Sequence, residues 1–186
     1  MRVAFSTLIN ELRDTYKDWE GVEQFNGTVD RLNRMYEETC WSPERIEDEL
    51  SKHLKVFDCD YDQMLVEKDI DVWSLCPHHL VPCNFKVAIG YIPKGKVLGL
   101  SKFARIAEVM ARRPILQEAY SVEIAKYIMD KLEPKGVAVY IRGKHGCMLT
   151  RGIKQDAWVI TSNLQGCFLK EVATREEFYA IVRNGG

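Results

Sequence analysis

Residues 136–152, GVAVYIRGKHGCMLTRG, combine an apolar strand with a group of chemically reactive side chains. Val137 and Val139 lie on one face of the predicted strand, because alternate residues of a strand point to the same side. His145 and Cys147 follow at its end. The segment therefore predicts a strand with an apolar face that carries a candidate site at its end.

The rest of the chain predicts an α+β protein, with helices first and strands later. Helical periodicity begins in residues 5–19, and from about residue 63 the period of the apolar residues changes to two. The simplest division is an N-terminal helical segment, residues 1–60, followed by an α+β domain, residues 61–186. Further helices are predicted at 29–38, 42–54, 102–113, 121–132 and 175–183, and further strands at 63–75, 85–93, 94–101 and 157–168.

Composition and charge argue against several functions. The formal net charge is −1 over 186 residues, whereas a general nucleic-acid binder needs a basic face. Apolar windows are too short to span a bilayer, and the N-terminus MRVAFSTLIN is too polar for a signal peptide. We therefore expect a cytoplasmic protein without nucleic-acid or membrane partners. In that reducing compartment the six cysteines are expected to be metal ligands or catalysts.

The segment SLCPHHLVPC, residues 74–83, is a second concentration of metal-binding side chains. Cys76 and His79 have the Cys-x-x-His spacing at which two side chains reach one zinc ion. Cys147 supplies a third ligand and leaves a fourth coordination position open, as in metal sites that activate water. Cys83 as a fourth ligand instead gives a closed, structural site. The spacing alone leaves both arrangements open.

Six blocks of the sequence occur in the order and spacing of a known family: SLCPHHLVP, GYIPKGKVLGLSKFARI, RRPILQE, GVAVYI, HGCMLTRG and TSNLQGCF. They extend from about Thr28 to the C-terminal helix, which is most of the chain. On these residues the chain resembles GTP cyclohydrolase I.

The resemblance implies a tunnelling fold (T-fold), an antiparallel β-sheet with helices on one face. In that fold the sheets of several subunits assemble into a barrel within a ring oligomer. The enzyme is typically a homodecamer, a dimer of pentamers, with active sites between neighbouring subunits. The implied reaction converts GTP and water to 7,8-dihydroneopterin triphosphate and formate, the first step of pterin, folate or deazaguanine biosynthesis.

The resemblance also assigns roles to residues around the metal. It implies that Cys76, His79 and Cys147 bind zinc, which lowers the pKa of a bound water molecule. His78 and His145 match two histidines beside the metal, and imidazole suits proton transfer because it titrates near neutrality. On this basis His145 is expected to protonate the purine ring, and His78 to position the water or transfer a proton.

Further residues match the substrate-binding positions of the family. Glu118 is expected to accept hydrogen bonds from N1–H and the 2-amino group of guanine, and Gln117 to contribute through its backbone. The triphosphate is expected near a helix N-terminus, where free N–H groups favour anions. The residues implied in binding it are Ser101, Lys102, Arg105, Arg151 and Arg34.

The chain departs from the family pattern beside its metal ligands. Pro77 stands where glutamate is common, and is expected to stiffen the turn. Lys144 adds a positive charge that is expected to lower the pKa of His145. Gly146 allows closer approach of the backbone but less rigidity.

Two other functions remain open. One is a diverged tunnelling-fold enzyme that acts on a related pterin or deazapurine, such as a nicotinamide-dependent nitrile reductase. Those enzymes lack the combined Cys-x-x-His and His-x-Cys pattern. The other is a non-catalytic, zinc-stabilised assembly that binds nucleotides, in which loss of Cys147 lowers stability and changes nothing else.

Overall fold

The computed structural model describes the backbone of residues 2–183 and the side chains of residues 4–183. The chain divides into two units, Met1–Trp41 and Ser42–Gly186. The predicted third helix lies in the second unit, so the first unit is shorter than the segment 1–60 expected from the sequence.

Helices form the first unit. Helix α1 spans Arg2–Thr15, a 3-10 turn spans Val22–Phe25, and α2 spans Thr28–Thr39. The rings of Phe5 and Tyr36 pack with centroids 5.1 Å apart. Contact between their apolar faces holds α1 against α2, as the helical periodicity of both segments predicts.

The second unit begins with α3 (Pro43–His53), whose start follows its sequence signals. Ser42 caps the helix by accepting a hydrogen bond from the Arg45 N–H (3.3 Å). Pro43 occupies the first turn, where its missing N–H costs no intrahelical bond. Two short strands, β1 (Val56–Asp58) and β4 (Lys96–Leu98), then pair antiparallel.

A four-stranded antiparallel sheet forms the centre of the second unit. Its strands are β2 (Leu65–Leu75), β3 (Pro82–Ile92), β5 (Gly136–His145) and β6 (Val159–Gly166). They lie side by side in the order β2-β3-β5-β6, so β2 and β6 form the outer edges. The predicted α+β class with an antiparallel sheet is thereby confirmed.

Two long helices, α4 (Ser101–Met110) and α5 (Gln117–Leu132), cover one face of this sheet. Tyr120 of α5 stacks on Phe85 of β3 with ring centroids 5.6 Å apart. Both side chains are fully buried, and so is Val139, which the alternation in β5 places on the same face. This helix-covered face is the core of the unit.

One end of the sheet brings together the segments that carry the predicted site. Leu75 at the end of β2 pairs with Pro82 at the start of β3. The Ile115 N–H donates to the Leu75 carbonyl (3.1 Å) and attaches the start of α5 to this end. Strand β5 ends here too, and it continues directly into a single helical turn, α6 (Gly146–Leu149).

The C-terminal helices α7 (Cys167–Lys170) and α8 (Val172–Arg183) cover part of the opposite face of the sheet. Phe168 and Phe178 are fully buried there against Ala138 of β5. None of the helices within residues 2–183 has both the length and the hydrophobicity to cross a bilayer.

Candidate active site

A tight turn after β2 presents the first predicted metal ligands. The Cys76 N–H donates to the Val81 carbonyl (2.9 Å), and the Leu80 N–H donates to the Cys76 carbonyl (2.8 Å). Leu80 has a φ of +53°, a left-handed conformation that a leucine adopts only when its surroundings impose it. Neither hydrogen bond needs an N–H from Pro77, so the turn accommodates the proline. The turn buries Cys76 and leaves His79 exposed.

Three side chains form a group that could hold a metal ion. One donor atom each from Cys76, His79 and Cys147 lies within 4.8 Å of the others. The Cys76 Sγ is 3.7 Å from His79 Nδ1 and 4.0 Å from Cys147 Sγ. Donors bound to one tetrahedral zinc ion lie roughly 3.3–3.8 Å apart, so small movements complete the site. Two thiols and an imidazole are a donor set typical of zinc. We call these three side chains the metal-binding group.

Cys83, the alternative fourth ligand, contacts a different partner. Its Sγ lies 3.3 Å from Nδ1 of His145, the residue that pairs with it across the strands. Its side chain is 1% exposed, and burial raises the pKa of its thiol to about 12. Among the described residues it is not a member of the metal-binding group. The geometry therefore favours three protein ligands and an open fourth position.

His145 is held at its other ring nitrogen by Gln117. Its Nε2 lies 2.8 Å from Oε1 of Gln117, whose side chain is buried. Burial lowers the pKa of His145, and the nearby Glu118 carboxylate acts against this shift. Lys144 pairs with Asp156 (2.7 Å). The pKa of His145 is thus lowered as predicted, but the cause is burial rather than the lysine charge.

Polar side chains lie at the exposed side of the metal-binding group. His78 Nδ1 is 4.0 Å from the Cys76 Sγ, so His78 lies beside the group. Nη1 of Arg151 is 2.7 Å from Nε2 of His79. Because an arginine side chain only donates, the His79 Nε2 accepts this hydrogen bond and Nδ1 carries the proton, so binding of a metal through Nδ1 would require the Arg151 contact to open. A guanidinium group is therefore available for an anion next to the metal-binding group.

A cavity of about 220 Å³ adjoins the metal-binding group, between the start of α5 and the end of β5. Complete small-molecule sites measure roughly 300–1,000 Å³, so a ligand of nucleotide size extends beyond this cavity. Its polar lining comes from His78, Gln117, Glu118 and His145, and its apolar lining from Ile115, Leu116, Met148 and Val159.

The predicted triphosphate residues of α4 lie towards the opposite end of the sheet. Phe103 of α4 packs on Tyr91 of β3 with ring centroids 5.3 Å apart. Tyr91 lies eight residues along β3 from Cys83, a distance of about 26 Å in a strand. Arg34 is exposed on α2 in the first unit. Within one chain, three residues of α4 therefore lie far from the metal-binding group: Ser101, Lys102 and Arg105.

Two contacts of the site are absent from the sequence analysis. Gln117 was expected to act through its backbone, whereas its side chain holds His145, and Cys83 was expected only as a possible metal ligand. Strand register explains the second contact, because Cys83 lies directly opposite His145. For the contact of the Gln117 side chain, the one indication in the sequence was a glycine within the predicted strand, at position 143. Gly143 has no side chain, and a Cβ there would lie 2.9 Å from Cδ of Gln117.

Comparison with known proteins gives a consistent family. A sequence model of the family described as GTP cyclohydrolase I matches residues 3–183. GTP cyclohydrolase 1 of Pelotomaculum thermopropionicum is 43% identical over 164 residues, which are 87% of this chain and 86% of that protein. GTP cyclohydrolase 1 of Carboxydothermus hydrogenoformans is 44% identical over 168 residues, 89% of this chain and 84% of that protein.

Other matches cover less of the chain or of the matched protein. GTP cyclohydrolase 1 of Homo sapiens is 46% identical over 130 residues, and this chain spans only 52% of its length. The solved structure of an archaeosine synthase, QueF-Like, matches 58% of this chain and 96% of its own chain at a TM-score of 0.44 and 21% identity. That likeness is too weak to carry a conclusion. From the family match and the two bacterial relatives, this chain belongs to the GTP cyclohydrolase I family.

Proposed function

We propose that this protein converts GTP and water to 7,8-dihydroneopterin triphosphate and formate, the first step of pterin and folate biosynthesis. One observation carries the proposal. The metal-binding group adjoins a cavity lined by Glu118, His78 and His145, in a chain that matches the GTP cyclohydrolase I family over residues 3–183. A metal, proton carriers and an acceptor for a base edge are the parts that this hydrolysis needs.

Zinc is the metal that the donor set supports best. Cys76, His79 and Cys147 would hold it, since thiolates and imidazole suit zinc whereas magnesium and calcium take oxygen ligands. When bound, zinc supplies a water molecule of lowered pKa as the nucleophile.

The two histidines beside the metal-binding group are assigned to proton transfer. His145 lines the cavity, and its lowered pKa keeps the ring uncharged near neutrality, so that it can take up a proton and pass it on. We assign His145 to the protonation of a purine ring nitrogen. We assign His78, which lies at the exposed side beside Cys76, to the proton of the attacking water.

Base recognition is assigned to the start of α5. Glu118 lines the cavity, and a carboxylate there can accept hydrogen bonds from both N1–H and the 2-amino group of guanine. Adenine lacks this pair of donors. Gln117 and Glu118 are the first two residues of α5, where backbone N–H groups have no intrahelical acceptor and can bind the base.

A neighbouring copy of the chain would complete the site. Strands β2 and β6 are the outer strands and run antiparallel, so β2 of one copy can pair with β6 of the next and close a ring. We propose a homodecamer, a dimer of pentamers. In it the triphosphate would lie between subunits, bound by Ser101, Lys102, Arg105, Arg151 and Arg34.

The cysteines support a reducing compartment, and we propose the cytoplasm. All six are free thiols, including Cys76 and Cys147, whose sulfur atoms lie only 4.0 Å apart. Thiols persist where glutathione and thioredoxin keep proteins reduced.

Purified protein tests the proposal in one set of assays. We expect about one zinc per chain, formate release from GTP, and a fluorescent pterin after oxidation of the product. His145→Ala is expected to keep zinc and fold and to lose formate release. His53→Ala is the matched control, because His53 lies on α3 beside Glu49. Zinc-loaded protein that releases no formate, or a fully active His145→Ala variant, would contradict the proposal.

A further inference from the structure

The imidazole of His145 is contacted at both ring nitrogens. Nε2 faces Oε1 of Gln117 at 2.8 Å, and Nδ1 faces the Sγ of Cys83 at 3.3 Å. The edge of the ring also packs on Phe85, with centroids 5.8 Å apart. The orientation of this ring is therefore set by three neighbours, and Gln117 and Cys83 are both about 1% exposed.

The amide of Gln117 has only one possible orientation. Its Nε2 donates to the Val159 carbonyl (3.0 Å) and lies within reach of the Ile141 carbonyl (3.3 Å) and the Thr161 hydroxyl (3.2 Å). A flipped amide would place Oε1 against two carbonyl oxygens, which have no proton to donate. Oε1 therefore faces His145 as an acceptor, and the His145 Nε2 must carry the proton of this hydrogen bond.

The thiol of Cys83 completes the arrangement at the other nitrogen. With the proton on Nε2, a neutral imidazole has its lone pair on Nδ1. The Cys83 thiol is a weak donor, and the backbone N–H groups of Gly146 and Cys76 beside its sulfur can only donate to it. Its own proton can therefore point at Nδ1, at 3.3 Å, rather than at the more distant Val81 carbonyl, at 3.9 Å. An S–H group that points at Nδ1 suits the tautomer that Gln117 imposes.

We propose that Gln117 and Cys83 are positioning residues that hold neutral His145 as its Nε2–H tautomer, with the Nδ1 lone pair bound by the Cys83 thiol. The effect on catalysis rests on the proposed function, because it matters only if His145 transfers protons. Gln117 acts as the fixed anchor, since its other hydrogen bonds run to strands β5 and β6. The thiol contact is the weaker of the two and opens first when the ring moves.

Nitrogen NMR of the zinc-loaded, full-length protein measures the tautomer directly. The chain has only four histidines, so ring-¹⁵N-labelled protein gives few signals, and His145→Asn identifies those of His145. The sample is held at pH 8, above the ordinary histidine pKa of about 6.5. We expect one His145 species, with a protonated Nε2 and an unprotonated, hydrogen-bonded Nδ1. A predominant Nδ1–H form, or an equal mixture of tautomers, overturns the proposal.

Variants separate positioning from space filling. Gln117→Met keeps a similar volume but removes the acceptor, and is expected to give mixed tautomers and a kcat about 10–100-fold lower at nearly unchanged KM. Cys83→Ala is expected to shift the Nδ1 signal and lower kcat, whereas Cys83→Ser, which keeps a donor, restores both. Val87→Ala is the matched control, a buried truncation on β3 whose cross-strand partner is Ile141. It should leave the His145 signals unchanged.

The outcomes distinguish this inference from the proposed function. If Gln117→Met keeps the tautomer of the wild-type protein, Gln117 only fills space and the proposal is wrong. If the wild-type spectrum shows the Nε2–H tautomer but no formate is released from GTP, the proposed function fails and the positioning arrangement stands. Because the wild-type spectrum needs no variant other than the one used for assignment, poor folding of Gln117→Met does not prevent the test.

Discussion

Gly143→Ala adds one methyl group at the point where the Gln117 amide passes over β5. The new Cβ would lie 2.9 Å from Cδ of Gln117, closer still to its Oε1, and 3.0 Å from Cδ1 of Phe85. Real Cβ atoms do not approach other heavy atoms this closely, and both neighbours are buried. We therefore expect the amide to be displaced.

The expected loss of stability follows from the hydrogen bonds of that amide. Its two N–H groups and its oxygen can make three bonds at once, to partners on β5 and β6 and to His145. At about 0.5–1.5 kcal/mol each, their loss lowers the free energy of unfolding by roughly 1.5–4.5 kcal/mol. We also expect kcat to fall about 10–100-fold, because His145 loses its anchor.

A double-mutant cycle isolates this contact. Urea unfolding is measured for the wild type, Gly143→Ala, Gln117→Ala and the double variant at one protein concentration, because oligomers unfold in a concentration-dependent way. In the Gln117→Ala background the added methyl keeps only its contact with Phe85, at 3.0 Å, so its cost should fall by most of the hydrogen-bond loss. A cost of Gly143→Ala below about 0.5 kcal/mol, the lower value for one hydrogen bond, would show that the amide is not displaced, and so would a cost that is unchanged without Gln117.

Three further predictions follow from buried groups. Chelation of zinc is expected to make Cys147 reactive towards a thiol label, as detected by mass spectrometry. Cys83 should stay unlabelled, because it is 1% exposed and its thiol has a pKa of about 12. Early labelling of Cys83 would contradict this prediction. Burial raises the pKa of Glu67, so its ionisation costs stability as pH rises through the folded-state pKa. Glu67→Gln should therefore be more stable than the wild type at pH 8, and this advantage should disappear below the unfolded-state pKa of about 4.3, as followed by urea unfolding across pH. Phe178→Ala removes a fully buried ring and should lower the unfolding free energy by about 3–5 kcal/mol without changing zinc content. A loss below about 1 kcal/mol would show that the packing of Phe178 against Phe168 and Ala138 is dispensable.

Features with local causes were predictable from the sequence. The alternation in β5 predicted a buried face, and Val137 and Val139 are fully buried. The Ser-Pro pair predicted the start of α3, where Ser42 caps the helix. In both cases the signal and the structure lie within a few residues of each other, so no distant contact is needed to interpret them.

Features that depend on distant contacts were not predictable. The pairing of β1 with β4 joins segments about 40 residues apart, and the two strands are only three residues long. Phe168 and Phe178 cover the second face of the sheet. They reach it only because the chain turns back over that face after β6. The periodicity of one segment says which face is apolar, but not which element will cover it.

The residues that could bind a metal were identifiable from their spacing along the chain. Cys76 and His79 stand three residues apart in one turn, a spacing short enough to bring both to a single ion, and Cys147 was the third candidate. That Cys83 lies outside this group became clear only from the fold. Cys83 lies on β3 directly opposite His145, so its thiol contacts the imidazole rather than a metal. This pairing depends on the antiparallel register, which is set by burial along the whole sheet.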